Sequence, residues 1–134
     1  MPRYAGSCHC GAVRFEVEAE IADIYTCDCS LCRKKNALMT SVHESKFKLL
    51  AGEDKLSLYQ WNTRVARHYF CGVCGIYPFH KKRSAPDHYG INVQCLADFN
   101  PQAIPVRRAD GRTMTMEDPH PQPDWPGPRL ARPD

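Results

Sequence analysis

Cys27-Asp28-Cys29-Ser30-Leu31-Cys32-Arg33-Lys34-Lys35 places three cysteines within six residues and follows them at once with three cations. Three thiolates at this spacing hold one soft or borderline metal ion and leave its fourth position open. That is the arrangement of a catalytic zinc, whereas a structural zinc is closed by four protein ligands. The rest of the chain reads as a scaffold of short strands that keeps this cluster still.

Working outward, the other cysteines stand at 8, 10, 71, 74 and 95. Cys8/Cys10 and Cys27/Cys29 are pairs one residue apart, side by side on one face of an extended strand. Cys71-Gly72-Val73-Cys74-Gly75 is a tight knuckle, with glycines where the backbone folds close around an ion. Cys8, Cys10, Cys71 and Cys74 together make a closed four-thiolate site that pins the first strand to the middle of the chain, a link that couples metal binding to folding. A thioredoxin-like redox role for Cys71/Cys74 lacks its helix start. Cys95 lies in an apolar strand pattern and reads as a buried, inert thiol, with a fourth-ligand role at the three-cysteine cluster as the alternative. Copper(I) and iron–sulfur clusters use the same ligand type.

The flanking sequence is strand-like. Val13, Phe15 and Val17 alternate with Arg14, Glu16 and Glu18, the period of a half-buried strand within 12–20. Further strands are expected at 23–27, 37–43, 47–50, from Leu56 through Trp61 to Asn62-Thr63, and at 89–96, with 67–70 leading into the knuckle and 77–80 leaving it. Residues 1–7 read as a lead-in, and Ser30 as the cap of a single helical turn through Lys35. The expected class is mainly β with little helix.

The chain has 134 residues, a length for one domain with one core, expected over 1–118. Six prolines between 119 and 133 mark 119–134 as a proline-rich tail. No apolar run spans a bilayer and the N-terminus has no signal-peptide core, so a cytoplasmic location is expected and no membrane partner. Without export, eight cysteines point to metal rather than disulfides. The formal charge of +3 falls to about zero once a four-thiolate and a three-thiolate zinc are counted, which argues against nucleic acid. Two basic clusters remain: Arg33-Lys34-Lys35, beside the open metal and suited to an anionic substrate, and His80-Lys81-Lys82-Arg83.

Four blocks carry a resemblance: Gly6-Ser7-Cys8-His9-Cys10-Gly11-Ala12-Val13, Cys27-Asp28-Cys29-Ser30-Leu31-Cys32-Arg33-Lys34, Phe70-Cys71-Gly72-Val73-Cys74-Gly75 and Val93-Gln94-Cys95-Leu96. In this order they resemble the glutathione-dependent formaldehyde-activating enzyme family, also called the GFA or CENP-V/GFA domain. The resemblance implies an Mss4-like, or β-tent, arrangement of small antiparallel sheets. It implies two zinc ions per chain: a structural one on Cys8, Cys10, Cys71 and Cys74, and a catalytic one on Cys27, Cys29 and Cys32. It further implies condensation of formaldehyde with glutathione to S-hydroxymethylglutathione, a carbon–sulfur lyase activity in reverse. Asp28 stands where the family often has histidine and Asn36 where glycine is common. Glutathione is then the expected small-molecule partner, received by Arg33, Lys34 and Lys35, and a homodimer is a possible assembly. His9, His43 and Asp28 are general-base candidates by position or type. The alternative function is a non-catalytic Mss4-like zinc interaction module.

Overall fold

Val13, Phe15 and Val17 are almost completely buried, so the predicted alternation is a real inner face. The computed structural model describes residues 1–27, 30–60, 66–82 and 85–109. The alternating segment is strand β2 (Arg14–Glu18), flanked in a three-stranded sheet by β1 (Arg3–Ser7) and β5 (Phe47–Ala51) in the order β1-β2-β5. The lead-in is therefore a strand. It pairs antiparallel with β2, Gly6 opposite Phe15. A Cβ on Gly6 would lie 2.3 Å from Phe15 Cζ, so the glycine makes room for the ring to lie across β1.

The second sheet has seven strands: β3 (Ile24–Cys27), β4 (Met39–His43), β6 (Leu56–Tyr59), β7 (Arg67–Cys71), β8 (Phe79–Lys81), β9 (His88–Asn92) and β10 (Val106–Ala109). Their order is β10-β3-β4-β9-β8-β7-β6. Among the described residues the ladders of this sheet are antiparallel except β10 on β3, which is parallel. The fold is thus mainly β, of the expected small-sheet type, with one α-helix among the described residues, α1 (Ser30–Lys35).

The described residues differ from the sequence reading in several places. The strand expected over 89–96 stops at Asn92, whose side chain accepts a hydrogen bond from the Gln94 amide (3.2 Å) and caps a 3-10 turn, Val93–Cys95. β10 was not expected: Val106-Arg107-Arg108-Ala109 carries charge and no alternation of apolar residues. Strand β6 ends at Tyr59, and Trp61 to Thr63 lie outside the described residues. So does the proposed boundary at 118/119 with the proline-rich tail.

The sheets meet along an aromatic seam. Phe15 of β2 and Phe47 of β5 pack on Phe79 of β8, with centroids 5.3 and 4.8 Å apart, and Phe47 stacks on Tyr89 of β9 at 4.2 Å. Each such pair contributes about 0.5–1.5 kcal/mol beyond area burial. Ile24, Val42 and Ile91 complete the buried face of the larger sheet.

The opposite face of that sheet follows from register. Partners in a ladder share a face, and alternate residues along a strand return to it. Tyr25 opposes Met39, Met39 opposes Asn92, and Ser41, Gly90, His80, His68 and Tyr59 form one row across five strands. Cys27 follows Tyr25 by two residues and Lys82 follows His80 by two. The non-core face is therefore polar, with cysteine, histidine, tyrosine and lysine side chains.

Candidate functional site

Two cysteine groups sit on this framework. Cys8 follows β1, and Cys71 ends β7. After Cys71 the chain turns through the knuckle, closed by a Gly75 amide to Cys71 carbonyl bond (2.8 Å), with Gly75 at φ 80°, a backbone region few other residues enter easily. This brings Cys8, Cys10, Cys71 and Cys74 together, all four sulfurs within 4.8 Å of one another. Sγ of Cys10 lies 3.6 Å from that of Cys8 and 3.8 Å from that of Cys71. Bonds of about 2.3 Å to a tetrahedral zinc put sulfurs roughly 3.8 Å apart, so the set fits one such ion. The separations far exceed a disulfide bond of about 2.05 Å.

Backbone amides point at these sulfurs. Val13 N–H donates to Cys8 (3.3 Å), and Val73 and Cys74 N–H donate to Cys71 (3.4 and 3.5 Å). Amides from Cys10 and Ile76 bring the Cys74 thiol down to about 6, against a smaller opposing effect of burial. Burial raises Cys8, but the Val13 amide and the neighbouring Cys10 and Cys71 outweigh it and the net shift is downward. Cys10 receives an amide bond from Ala12 that favours its thiolate. Burial and the other three thiols outweigh it and push Cys10 up to about 11. Four sulfurs this close cannot all ionise without a cation among them.

The second group involves Cys27, at the end of β3, and Cys32, in α1. Cys29 and Asp28 lie outside the described residues. Burial pushes the Tyr25 phenol up to about 12, and the charges of Cys32 and Cys27 add to that. Lys82 lies 5.4 Å over the Tyr25 ring and Arg107, from β10, 5.1 Å from it. Burial keeps the Lys82 ammonium below its ordinary range, with Arg107 adding to the effect and Asp23 and Cys27 opposing it. Asp23 holds Arg107 by two bonds of 3.1 and 2.9 Å.

The cations after Cys32 point in different directions. Successive helical residues turn by about 100°, so Arg33 and Lys34 face solvent while Lys35 turns inward. Lys35 Nζ lies 2.6 Å from His68 Nδ1 and 3.6 Å above the Tyr77 ring. Helix α1 ends at Asn36, at φ 53°, with its amide bonded to the Cys32 carbonyl (3.0 Å). That left-handed cap explains why this position suits asparagine or glycine. In the other basic cluster, strand alternation separates Lys81, paired with Glu44 on the core side, from Lys82, which donates to Ser41 (3.2 Å). Arg83 lies outside the described residues.

Of the general-base candidates, His9 is exposed beside the four-cysteine group. His43 is exposed at the end of β4, bonded to Ser45 and 3.4 Å from Asp87. Cys95 sits on the 3-10 turn, its thiol 4.0 Å from the Tyr77 carbonyl. Burial raises it to about 11, with the charges of Cys8 and Cys74 adding, which associates it with the four-cysteine side. Sequence reasoning missed Tyr25, His68, Tyr77, His80 and Lys82 as a group; the alternation that put His80 and Lys82 on one face was the available signal.

Residues 3–109 match the sequence model of the family described as glutathione-dependent formaldehyde-activating enzyme. A crystal structure of a Rhodobacter sphaeroides protein superposes with a TM-score of 0.72 at 44% identity, covering 77% of this chain and 99% of that one. No helix among the described residues is long and apolar enough to cross a membrane.

Proposed function

This chain belongs to the glutathione-dependent formaldehyde-activating enzyme family, and on that premise we propose that it is a zinc-dependent carbon–sulfur lyase acting on thiol adducts of formaldehyde or another small aldehyde, with glutathione as the thiol. The reading is carried by the family match over residues 3–109, together with four cysteine sulfurs that lie within 4.8 Å of one another and so could hold a metal ion. Cys27, Cys29 and Cys32 would hold the reactive zinc, and Cys8, Cys10, Cys71 and Cys74 the structural one. A zinc with three thiolate ligands supplies a position at which an entering thiol gives up its proton.

The chain's own residues do the remaining work. Lys35 and Lys82, each set into the polar sheet face, attract a carboxylate-bearing thiol, and exposed Arg33 offers a bidentate contact at the rim. Tyr25 and Met39, both nearly buried, give the floor an apolar patch that keeps water from the reacting carbon. Cysteines serving as metal ligands suit a reducing compartment such as the cytoplasm.

Metal content of two variants tests the division of labour. Cys29→Ser is expected to lower zinc from about two per chain to about one, keep the fold and abolish adduct turnover. Cys71→Ser is expected to leave the domain unfolded or insoluble. Identical behaviour of the two variants would refute the assignment. Cobalt substitution separates enzyme from binding module: visible bands that shift on adding glutathione indicate a metal open to thiols, and bands that ignore it favour the module.

A further inference from the structure

Tyr77, His80, His68 and Lys35 form a connected cluster on the same polar face, drawn from four different segments. His80 Nδ1 is hydrogen-bonded to the Tyr77 hydroxyl. The two imidazoles stack, centroids 4.9 Å apart and planes 26° from parallel. Tyr77 stacks on His80 in turn, at 5.9 Å and 19°. The Lys35 ammonium donates to His68 Nδ1 and covers the Tyr77 ring. That donation requires the His68 nitrogen to carry a lone pair.

The cluster is built rather than incidental. Gly90 stands opposite His80 in the β8–β9 ladder, and a Cβ there would meet His80 Cε1 at 2.4 Å. The glycine is the seat of the imidazole. Tyr77 is anchored through its carbonyl, which accepts from Asn92 Nδ2 (2.9 Å). Lys35 is three residues beyond Cys32, so the two share one side of α1. The cluster therefore adjoins the proposed reactive thiols and contains the proton-carrying groups that His9 and His43 do not bring there.

We infer that Tyr77, held by His80, is the proton donor to the adduct oxygen, and that Lys35 and His68 position it. The inference rests on the lyase reading above. In the condensing direction the thiol proton passes to His80. The thiolate sulfur attacks the aldehyde carbon, a carbon–sulfur bond forms, and the carbonyl π pair moves to oxygen. Tyr77 gives its hydroxyl proton to that oxygen, and His80 returns a proton to Tyr77. Lys35, above the ring, attracts the charge left on the phenolate in between. In the reverse direction the same groups take the proton from the hydroxyl as the thiolate leaves. Among the described residues, Tyr77 is in contact with Lys35 from α1 and His80 from β8, His68 from β7 stacks on His80, and the Cys95 thiol lies at the Tyr77 carbonyl.

The test compares the zinc-loaded full chain with Tyr77→Phe, His80→Gln and Gly90→Ala. Exchange of labelled formaldehyde with its glutathione adduct is followed by NMR from pH 5.5 to 8.5, above the spontaneous rate. Thiol entry is read separately from the visible bands of cobalt-substituted protein, and the His80 nitrogen shifts from imidazole NMR. Expected are a loss of about 100-fold for Tyr77→Phe and a flattened pH profile, within the usual range for acid–base groups. Gly90→Ala should behave like His80→Gln, because its methyl displaces the ring. The His80 Nδ1 resonance should move in Tyr77→Phe, and thiol-induced cobalt shifts should stay as in the parent. Exchange within twofold of the parent with an unchanged pH profile overturns the inference, as does loss of exchange in step with loss of thiol entry. A parent that shows thiol entry but no exchange overturns the lyase reading itself, and this inference with it.

Discussion

Gly6 shows how one residue sets the packing of a sheet. The Phe15 ring occupies the space a side chain on Gly6 would fill, and Phe15 is fully buried. Alanine at position 6 must push the ring off its seat on Phe79, an overpacking that costs about 1–3 kcal/mol. Urea denaturation of Gly6→Ala should show a lower midpoint with an unchanged slope. The same close approach recurs at Gly90, where the displaced ring is His80, so there the expected deficit falls on chemistry more than on stability. Asn36 is a third residue whose identity answers to backbone: its left-handed conformation ends α1 directly after Lys35.

At the scale of elements, β10 is held to β3 by Arg107 and Asp23. Bonding to the guanidinium, foremost, holds the Asp23 carboxyl below its usual range. A carboxyl whose folded value is depressed contributes stability above its unfolded value of about 3.9 and loses it as pH falls through the folded one. Both side chains are more than half exposed, so solvent screening keeps the contribution of the pair small. Arg107→Ala should speed amide exchange in 106–109 by a few fold at pH 7. The difference between variant and parent should vanish once the pH is low enough to protonate Asp23. Because β10 pairs alongside Cys27, the same substitution should loosen that end of the polar face. The helix α1 is six residues long and cannot persist alone; it is kept by its place between β3 and β4 and by the inward reach of Lys35.

For the molecule as a whole, the four-cysteine group joins the end of β1 in one sheet to the end of β7 in the other. An ion held there would clamp the two sheets together. Removal of metal with a strong chelator should lower the melting temperature sharply, and restoring zinc should recover it. A variant that keeps the four cysteines but lacks Cys29 should show the same large response, which calorimetry can check. Phe15→Ala, at the centre of the seam, should cost about 3–5 kcal/mol with zinc retained. The two effects distinguish a core held by packing from one held by the ion.

The mainly β class and the meeting of Cys8 and Cys10 with Cys71 and Cys74 were legible in the linear order of residues. Alternation in Val13, Phe15 and Val17 is a local property, and cysteine spacing advertises a shared ion without reference to the rest of the chain. Strands β1 and β10 were not legible, since their pairing depends on partners supplied elsewhere: β2 for one, β3 for the other. Nor was the polar cluster. Lys35, His68, Tyr77 and His80 carry no common motif, and each alone reads as an ordinary surface or core residue. Helical rotation turned Lys35 away from Arg33 and Lys34, and the two-residue repeat of β7 and β8 set both imidazoles on one side. Ladder register, fixed only when the sheet assembled, put those choices in contact.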